Sequence, residues 1–143
     1  MKISTKWQQD QRFIATTAKG DEVVMDGNGS APSPMELILA AVGGCSSIDV
    51  VMILQKGRHP ITDCRCELVA ERADAIPSVF TKINAHYIIS GNNLKLAAVE
   101  RACELSIEKY CSAAIMLNKS VKFSFSCEVI PALSQNADPS ILR

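Results

Sequence analysis

The sequence predicts one α+β domain over residues 1–143, with elements in the order β-β-β-α-β-β-α-α-β. Three observations carry this. The 143 residues are 48% apolar and 21% charged, a balance and a length that suit one hydrophobic core. Apolar and polar residues alternate through the first thirty positions and again in three later segments, as half-buried strands do. Between them lies a long apolar run, Met35 to Leu54, with helix-start chemistry in front of it.

The opening reads as a three-strand meander. Ile3, Thr5 and Trp7 alternate with polar neighbours, Gln9-Asp10-Gln11 turns, Arg12 to Thr17 is strand-like, and Gly20-Asp21 turns again into Glu22-Val23-Val24-Met25. Asp26-Gly27-Asn28-Gly29-Ser30 has the composition of a loop. It lacks the closing glutamate of a calcium loop, so a plain turn is expected.

The long helix follows. Ser33 is a good N-cap, Pro34 suits the first helical position, and Glu36 stands three residues after Ser33. Together they make a capping box. The run is apolar nearly all round, so it is expected to be buried on every side. A domain of this size cannot surround such a helix, which implies a partner subunit over part of it. Glu36, Asp49, Gly43, Gly44, Ser46 and Ser47 interrupt the run. A charge at a bilayer centre costs about 2.5–3.5 kcal/mol even on lenient scales, so a core helix is expected and no membrane association. Lys56, Gly57, Arg58 and Pro60 mark the C-terminal end.

Two strands come next. Cys64, Cys66, Leu68 and Ala70 alternate in one; Ile83, Ala85, Tyr87 and Ile89 form a face of the other. A second helix is expected over Leu94–Lys109, with Leu94, Ala98, Ala102 and Leu105 as its stripe. Ser112 reads as the cap of a short helix, Ala113–Leu117. A last strand presents Val121, Phe123, Phe125, Cys127 and Val129 on one face. The tail, 131–143, is expected to be loose.

Lys+Arg and Asp+Glu both number 15, which leaves no electrostatic footprint for nucleic acid. The polar start, Met1-Lys2-Ile3-Ser4-Thr5-Lys6, lacks secretory-leader chemistry, and a cytoplasmic location is expected. There, six cysteines should be buried thiols, reactive thiols or metal ligands. Cys64, Cys66, Cys103 and Cys127 lie within periodic patterns and read as core thiols, with no metal site. Cys45 is different: it follows Gly43-Gly44 inside an otherwise good helix. Each glycine costs roughly 1 kcal/mol there relative to alanine, and permits close approach of a backbone or a substrate. On spacing, a tight helix contact and a reactive thiol both fit. Cys111 falls between two helical segments, where a helix N-terminus can activate a thiol; a buried loop cysteine fits equally. No nucleophile elbow, phosphate loop or HExxH motif is present. His59 and His86 read as surface residues.

The run from Ser33 through Pro34, Glu36 and Ala40-Ala41 to Gly43-Gly44-Cys45, together with Glu108-Lys109-Tyr110-Cys111-Ser112, resembles the two cysteine segments of the OsmC/Ohr family. The element order matches too, from Trp7 to Val129, and the likeness is nearest the YhfA-like branch. The resemblance implies a two-layer OsmC-like fold forming an intertwined homodimer around long central helices. It implies a thiol-dependent peroxidase acting on organic hydroperoxides, with Cys45 peroxidatic and Cys111 resolving through a Cys45–Cys111 disulfide. It further implies a dithiol reductant of lipoyl type, and no metal, flavin or haem cofactor. A non-catalytic redox-sensing or apolar-ligand-binding dimer of the same fold is the alternative.

Two departures stand out. The family's glutamate directly follows the proline; here Met35 does, and Glu36 comes one residue later, about 100° round the helix. Glu36 is thus a catalytic candidate with a ready explanation as a cap. The family also holds its thiolate with an arginine from the N-terminal strands. Arg12, the one arginine before Cys45, is the candidate, with Lys56, Arg58 or Arg72 as substitutes.

Overall fold

The computed structural model describes residues 1–132; the tail expected to be loose lies, from 133 onward, outside the described residues. The chain forms two compact units, one from Met1 to Ala41 and one from Val42 onward.

In the first unit, β1 (Ile3–Gln9), β2 (Arg12–Thr17) and β3 (Glu22–Asp26) form the expected antiparallel meander in the order β1-β2-β3. The first turn places Asp10 in the left-handed region at φ 46°, which aspartate tolerates better than most residues. Trp7 Nε1 donates to the Asp10 carbonyl at 3.0 Å. Asp26 organises the next loop: it accepts from the Asn28 amide at 2.7 Å and from the Ser30 hydroxyl.

Helix α1 (Pro34–Lys56) starts as the sequence predicts. The Ser33 amide donates to Glu36 Oε2 at 2.7 Å, and the Glu36 amide donates to Ser33 Oγ at 3.2 Å. The box is therefore closed in both directions.

The second unit is built on β4 (Ile61–Arg72), β5 (Phe80–Gly91) and β6 (Lys122–Ile130), with β5 in the centre. β4 pairs antiparallel with β5, whereas β6 pairs parallel. A parallel partner needs a crossover connection. Here α2 (Leu96–Leu105), a π-helical turn (Ser106–Tyr110) and α3 (Ser112–Leu117) supply it, and α2 packs against β6. Ile83, Ala85, Tyr87 and Ile89 are all fully buried on one face of β5, as their alternation predicts. Val42, Ser46, Val50 and Leu54, spaced by four on α1, are buried as well, and all but Ser46 join the same apolar core. Such a ridge of fourth residues lies along one side of a helix.

Three expectations are corrected. First, α1 is not enclosed by its own chain: Ile48 is 61% and Met52 47% exposed. By length and composition this helix would pass for a membrane span, but its buried ridge packs into the sheet core as a core helix does. Second, the helix expected over Leu94–Lys109 runs only from Leu96 to Leu105 and then widens into the π turn. The cause lies at Ser106, which is fully buried. Its hydroxyl reaches the Ser46 carbonyl at 3.1 Å and Asp49 Oδ2 at 3.3 Å on α1, sharing one proton between them. Its carbonyl takes the Cys111 amide at 2.7 Å, the i to i+5 bond of a π turn. Third, the short helix begins at Ser112, and its N-cap is Cys111, not Ser112.

Candidate functional site

The two cysteines singled out by their surroundings come together. Cys45 is half-buried on α1. Cys111, fully buried, sits at the junction of the π turn and α3, and its thiol faces that of Cys45. Gly43 explains part of this approach. A Cβ on Gly43 would stand 2.6 Å from Leu68 Cδ1 on β4, so glycine lets α1 lie against the sheet two residues before Cys45. A Cβ on Gly44 would meet nothing within 4 Å. The double glycine thus has one member fixed by packing and one beside open space.

Burial pushes the Cys111 thiol up to about 11; the Ala114 amide opposes the shift, and the Cys45 thiol adds to it. That amide stands 3.4 Å from Cys111 Sγ. Cys111 at rest is therefore a protonated thiol, suited to a second, guided attack and unsuited to a first one.

The remaining cysteines line the sheet and its helices. The register aligns Cys66 on β4, Tyr87 on β5 and Cys127 on β6 in one row, and facing positions in adjacent strands lie about 5 Å apart. Burial raises Cys64 and raises Cys66 to about 11, with the Ser47 hydroxyl opposing both shifts. It also pushes Cys103 far up and Cys127 up, and these two thiols face each other. All four are held protonated, as core thiols are. The juxtaposition of Cys103 with Cys127 was not legible in the sequence, because it depends on how α2 packs on β6. Among the described residues, no three His, Cys, Asp or Glu side chains cluster as metal ligands would.

Arg12 and Glu36 belong to the first unit. Arg12 Nη1 donates to Ser30 Oγ at 2.9 Å and lies 3.9 Å from Asp26 Oδ2. Glu36 closes the capping box; the Ser33 amide, then the Ser33 hydroxyl, hold its carboxyl below the usual range. Of the substitute cations, Arg72 donates Nε to the Ser78 carbonyl at 2.9 Å. Arg58 sits exposed in the left-handed region after α1 at φ 57°. Lys56 ends α1. His86 meets Ser126 Oγ at 2.8 Å and Glu128 Oε1 at 3.2 Å, on the sheet face opposite the core.

One cavity that sequence reasoning missed lies beside the thiols. It encloses about 370 Å³ between Asp49, Met52, Ile53, Lys56, Leu105 and Tyr110. Asp49 is one turn beyond Cys45, and Tyr110 directly precedes Cys111. Its walls are mainly apolar, with a carboxylate and an ammonium at the rim. The i+4 and i+7 spacing of Asp49 and Met52 from Cys45 is the signal that would have found one wall.

Comparison with known proteins fits this architecture. The family model described as OsmC-like protein matches residues 27–126. Protein YhfA of Escherichia coli strain K12 is 51% identical over 134 residues, covering 92% of this chain and all of that protein. A crystal structure of a hypothetical protein from Aquifex aeolicus VF5 is 30% identical, with a TM-score of 0.84, over 92% of this chain and 97% of the other. The organic hydroperoxide resistance protein OhrB of Bacillus subtilis shares the fold at a TM-score of 0.62 and 10% identity, over 90% of this chain and 98% of its own. With more than half of its length inside the family model and half of its residues shared with YhfA, this chain belongs to the OsmC-like protein family.

Proposed function

We propose that the protein is a cytoplasmic, homodimeric, thiol-dependent peroxidase for organic hydroperoxides. The observation that carries this reading is the meeting of Cys45 and Cys111 at the end of α2's crossover. Cys45, as thiolate, attacks the distal oxygen of ROOH. The O–O bond breaks, ROH leaves after taking up a proton, and Cys45 becomes a sulfenic acid. The Cys111 sulfur then attacks the Cys45 sulfur, and water leaves with the Cys111 proton. In sum, two thiols and ROOH give one disulfide, ROH and H2O. An external dithiol of lipoyl type returns both thiols by exchange. The apolar cavity along α1 suits the organic group R.

Arg12 is the cation proposed to favour the Cys45 thiolate. Only its Nη1 is engaged in the contacts with Ser30 and Asp26, and a guanidinium carries five N–H donors. Replacing Arg12 with Met raises the pH midpoint of Cys45 alkylation. The exposed Ile48 and Met52 support burial of α1 against a second copy, since an uncovered apolar face of this kind marks an interface.

Peptide mapping after one equivalent of an alkyl hydroperoxide tests the reading. The wild type gives a Cys45–Cys111 disulfide and turns over repeatedly with a dithiol. Cys45→Ser consumes no peroxide. Cys111→Ser stops at the sulfenic acid and passes to sulfinic acid in excess peroxide. Full turnover by Cys111→Ser removes Cys111 from the mechanism. A single oxidation per site without turnover establishes the redox-sensing dimer instead.

A further inference from the structure

Tyr87 is fully buried, and its Oη has no hydrogen-bond partner within normal reach. Buried hydroxyls are almost always paired, and one that is not needs a reason. The position makes the case specific. Tyr87 stands at the middle of the central strand, between Cys66 and Cys127 in register, and shares the core with Cys103 and Cys111. The groups facing it from each packed element are the Cys66 thiol of β4, the Cys103 thiol of α2, the Cys111 thiol at the start of α3, and the Ser46 hydroxyl of α1. None carries charge at rest. The Ser46 hydroxyl gives its own proton to the Gly43 carbonyl at 3.3 Å, so it offers Tyr87 only an acceptor. Asp49, the nearby carboxylate on α1, takes the Ser106 hydroxyl.

A hydroxyl buried among neutral sulfurs keeps its proton at any working pH. Burial drives its ionisation far up, and the neighbouring thiols drive it further. Tyr87 is therefore a permanent donor with no strong acceptor at rest. Of the sulfurs around it, only that of Cys111 gains negative charge in the proposed reaction. It does so twice: when its proton leaves for the departing hydroxide, and when the disulfide is opened and Cys111 is the leaving group. A donor waiting where charge develops stabilises the transition state more than the ground state.

We propose that the Tyr87 hydroxyl is the hydrogen-bond donor to the Cys111 sulfur during resolution of the Cys45 sulfenic acid, a role that rests on the reading of the Cys45–Cys111 pair given above. In that step the Cys45–OH bond breaks and the Cys45–Cys111 bond forms. The Cys45 sulfur is reduced and the Cys111 sulfur oxidised, and water carries off the Cys111 proton. Tyr87 keeps its own proton throughout.

Tyr87→Phe removes one oxygen and keeps the ring that fills the core, so the variant is expected to fold; its urea midpoint checks this. Both proteins are mixed with one equivalent of tert-butyl hydroperoxide. Sulfenic acid is followed with a dione trap, and the disulfide and sulfinic acid by mass mapping. Sulfenic acid forms at the wild-type rate in Tyr87→Phe. Disulfide formation slows about tenfold, in line with loss of a hydrogen bond to a charged group. The pH midpoint of that step moves up, and the sulfinic product increases. In Ser46→Ala, which takes away the other hydroxyl near Tyr87, resolution keeps its rate or gains. Equal resolution rates and midpoints for Tyr87→Phe and wild type overturn the assignment, as does a slowing in Ser46→Ala that matches Tyr87→Phe. A wild type that forms no Cys45–Cys111 disulfide overturns the two-cysteine reading and this inference together; a wild type that forms it, with Tyr87→Phe unchanged, overturns this inference alone.

Discussion

Gly43→Ala tests whether the approach of α1 to β4 is set by the missing side chain. In an unconstrained helix the change would stabilise the protein by about 1 kcal/mol, because alanine is the better helix former. Here the new Cβ would stand 2.6 Å from Leu68 Cδ1. Carbon atoms pack at about 3.5–4.0 Å, so the methyl must retreat by roughly 1 Å in a packed core. Overpacking of this size costs about 1–3 kcal/mol. The net expectation is a loss of roughly 0–2 kcal/mol, and its sign alone is not decisive. The coupling with Leu68 is. Leu68→Val withdraws the offending methyl, at a cost of roughly 1 kcal/mol on its own. In the double variant the alanine gains its helix propensity without the clash. A double-mutant cycle in urea, followed by far-ultraviolet circular dichroism, should show about 1–2 kcal/mol of favourable coupling. All four proteins are compared at one concentration, since association adds to apparent stability. Additivity within about 0.5 kcal/mol would refute the claim that Gly43 is present for Leu68.

Three further outcomes follow from the fold. Ser33→Ala opens the capping box and lowers stability by about 1 kcal/mol in the same urea assay, with no change in peroxide-driven disulfide formation. The Asp26 carboxyl is held below its ordinary 3.8 by the Ser30 hydroxyl first, then the Asn28 amide, with Arg12 adding to them. Its folded value is thus below its unfolded one, so its contribution is complete above pH of about 4 and is lost as pH falls through the folded value. Asp26→Asn flattens the acid limb of the stability profile below pH of about 4 and leaves the neutral region without that slope; an unchanged acid limb contradicts the assignment. Met52→Glu places a charge on the exposed apolar side of α1. If that side is buried between two copies, the dissociation constant measured by sedimentation rises roughly a hundredfold, the equivalent of about 3 kcal/mol for an unpaired buried charge; an unaltered association rules out that face as the interface.

Local chemistry made most of the elements legible. Strand periodicity placed Ile83, Ala85, Tyr87 and Ile89 on the core face, and the Ser33–Glu36 box fixed where α1 starts, because both signals act within a few residues. The family likeness, carried by the Cys45 and Cys111 segments, gave the fold class. What escaped was set by contacts far apart in sequence. The parallel placement of β6 beside β5 depends on the crossover. The π turn depends on Ser106 reaching Ser46 and Asp49 sixty residues away, and a stripe of apolar residues carries no sign of it. Ser112 looked the better cap because hydroxyls usually fill that role, yet the extra residue of the π turn moved the boundary by one and gave the position to Cys111. The same distance rule hid Tyr87: its alternation announced a core residue, and only the packed structure revealed a hydroxyl with nothing to bind.

The sulfur that caps α3 ties redox chemistry to the backbone. Cys111 Sγ accepts from the Ala114 amide, one of the first amides of a helix, which have no partner within it. When that sulfur enters a bond with Cys45, its electron density and direction both change, and the amide loses part of its acceptor. A six-residue helix has few other bonds to hold its first turn. The oxidation state of the thiol pair is thereby written into the ordering of α3, where Met116 stands exposed on the surface. A partner that reads that segment, such as the reductant itself, would meet one surface on the oxidised protein and another on the reduced, and could release its product without any signal beyond the disulfide.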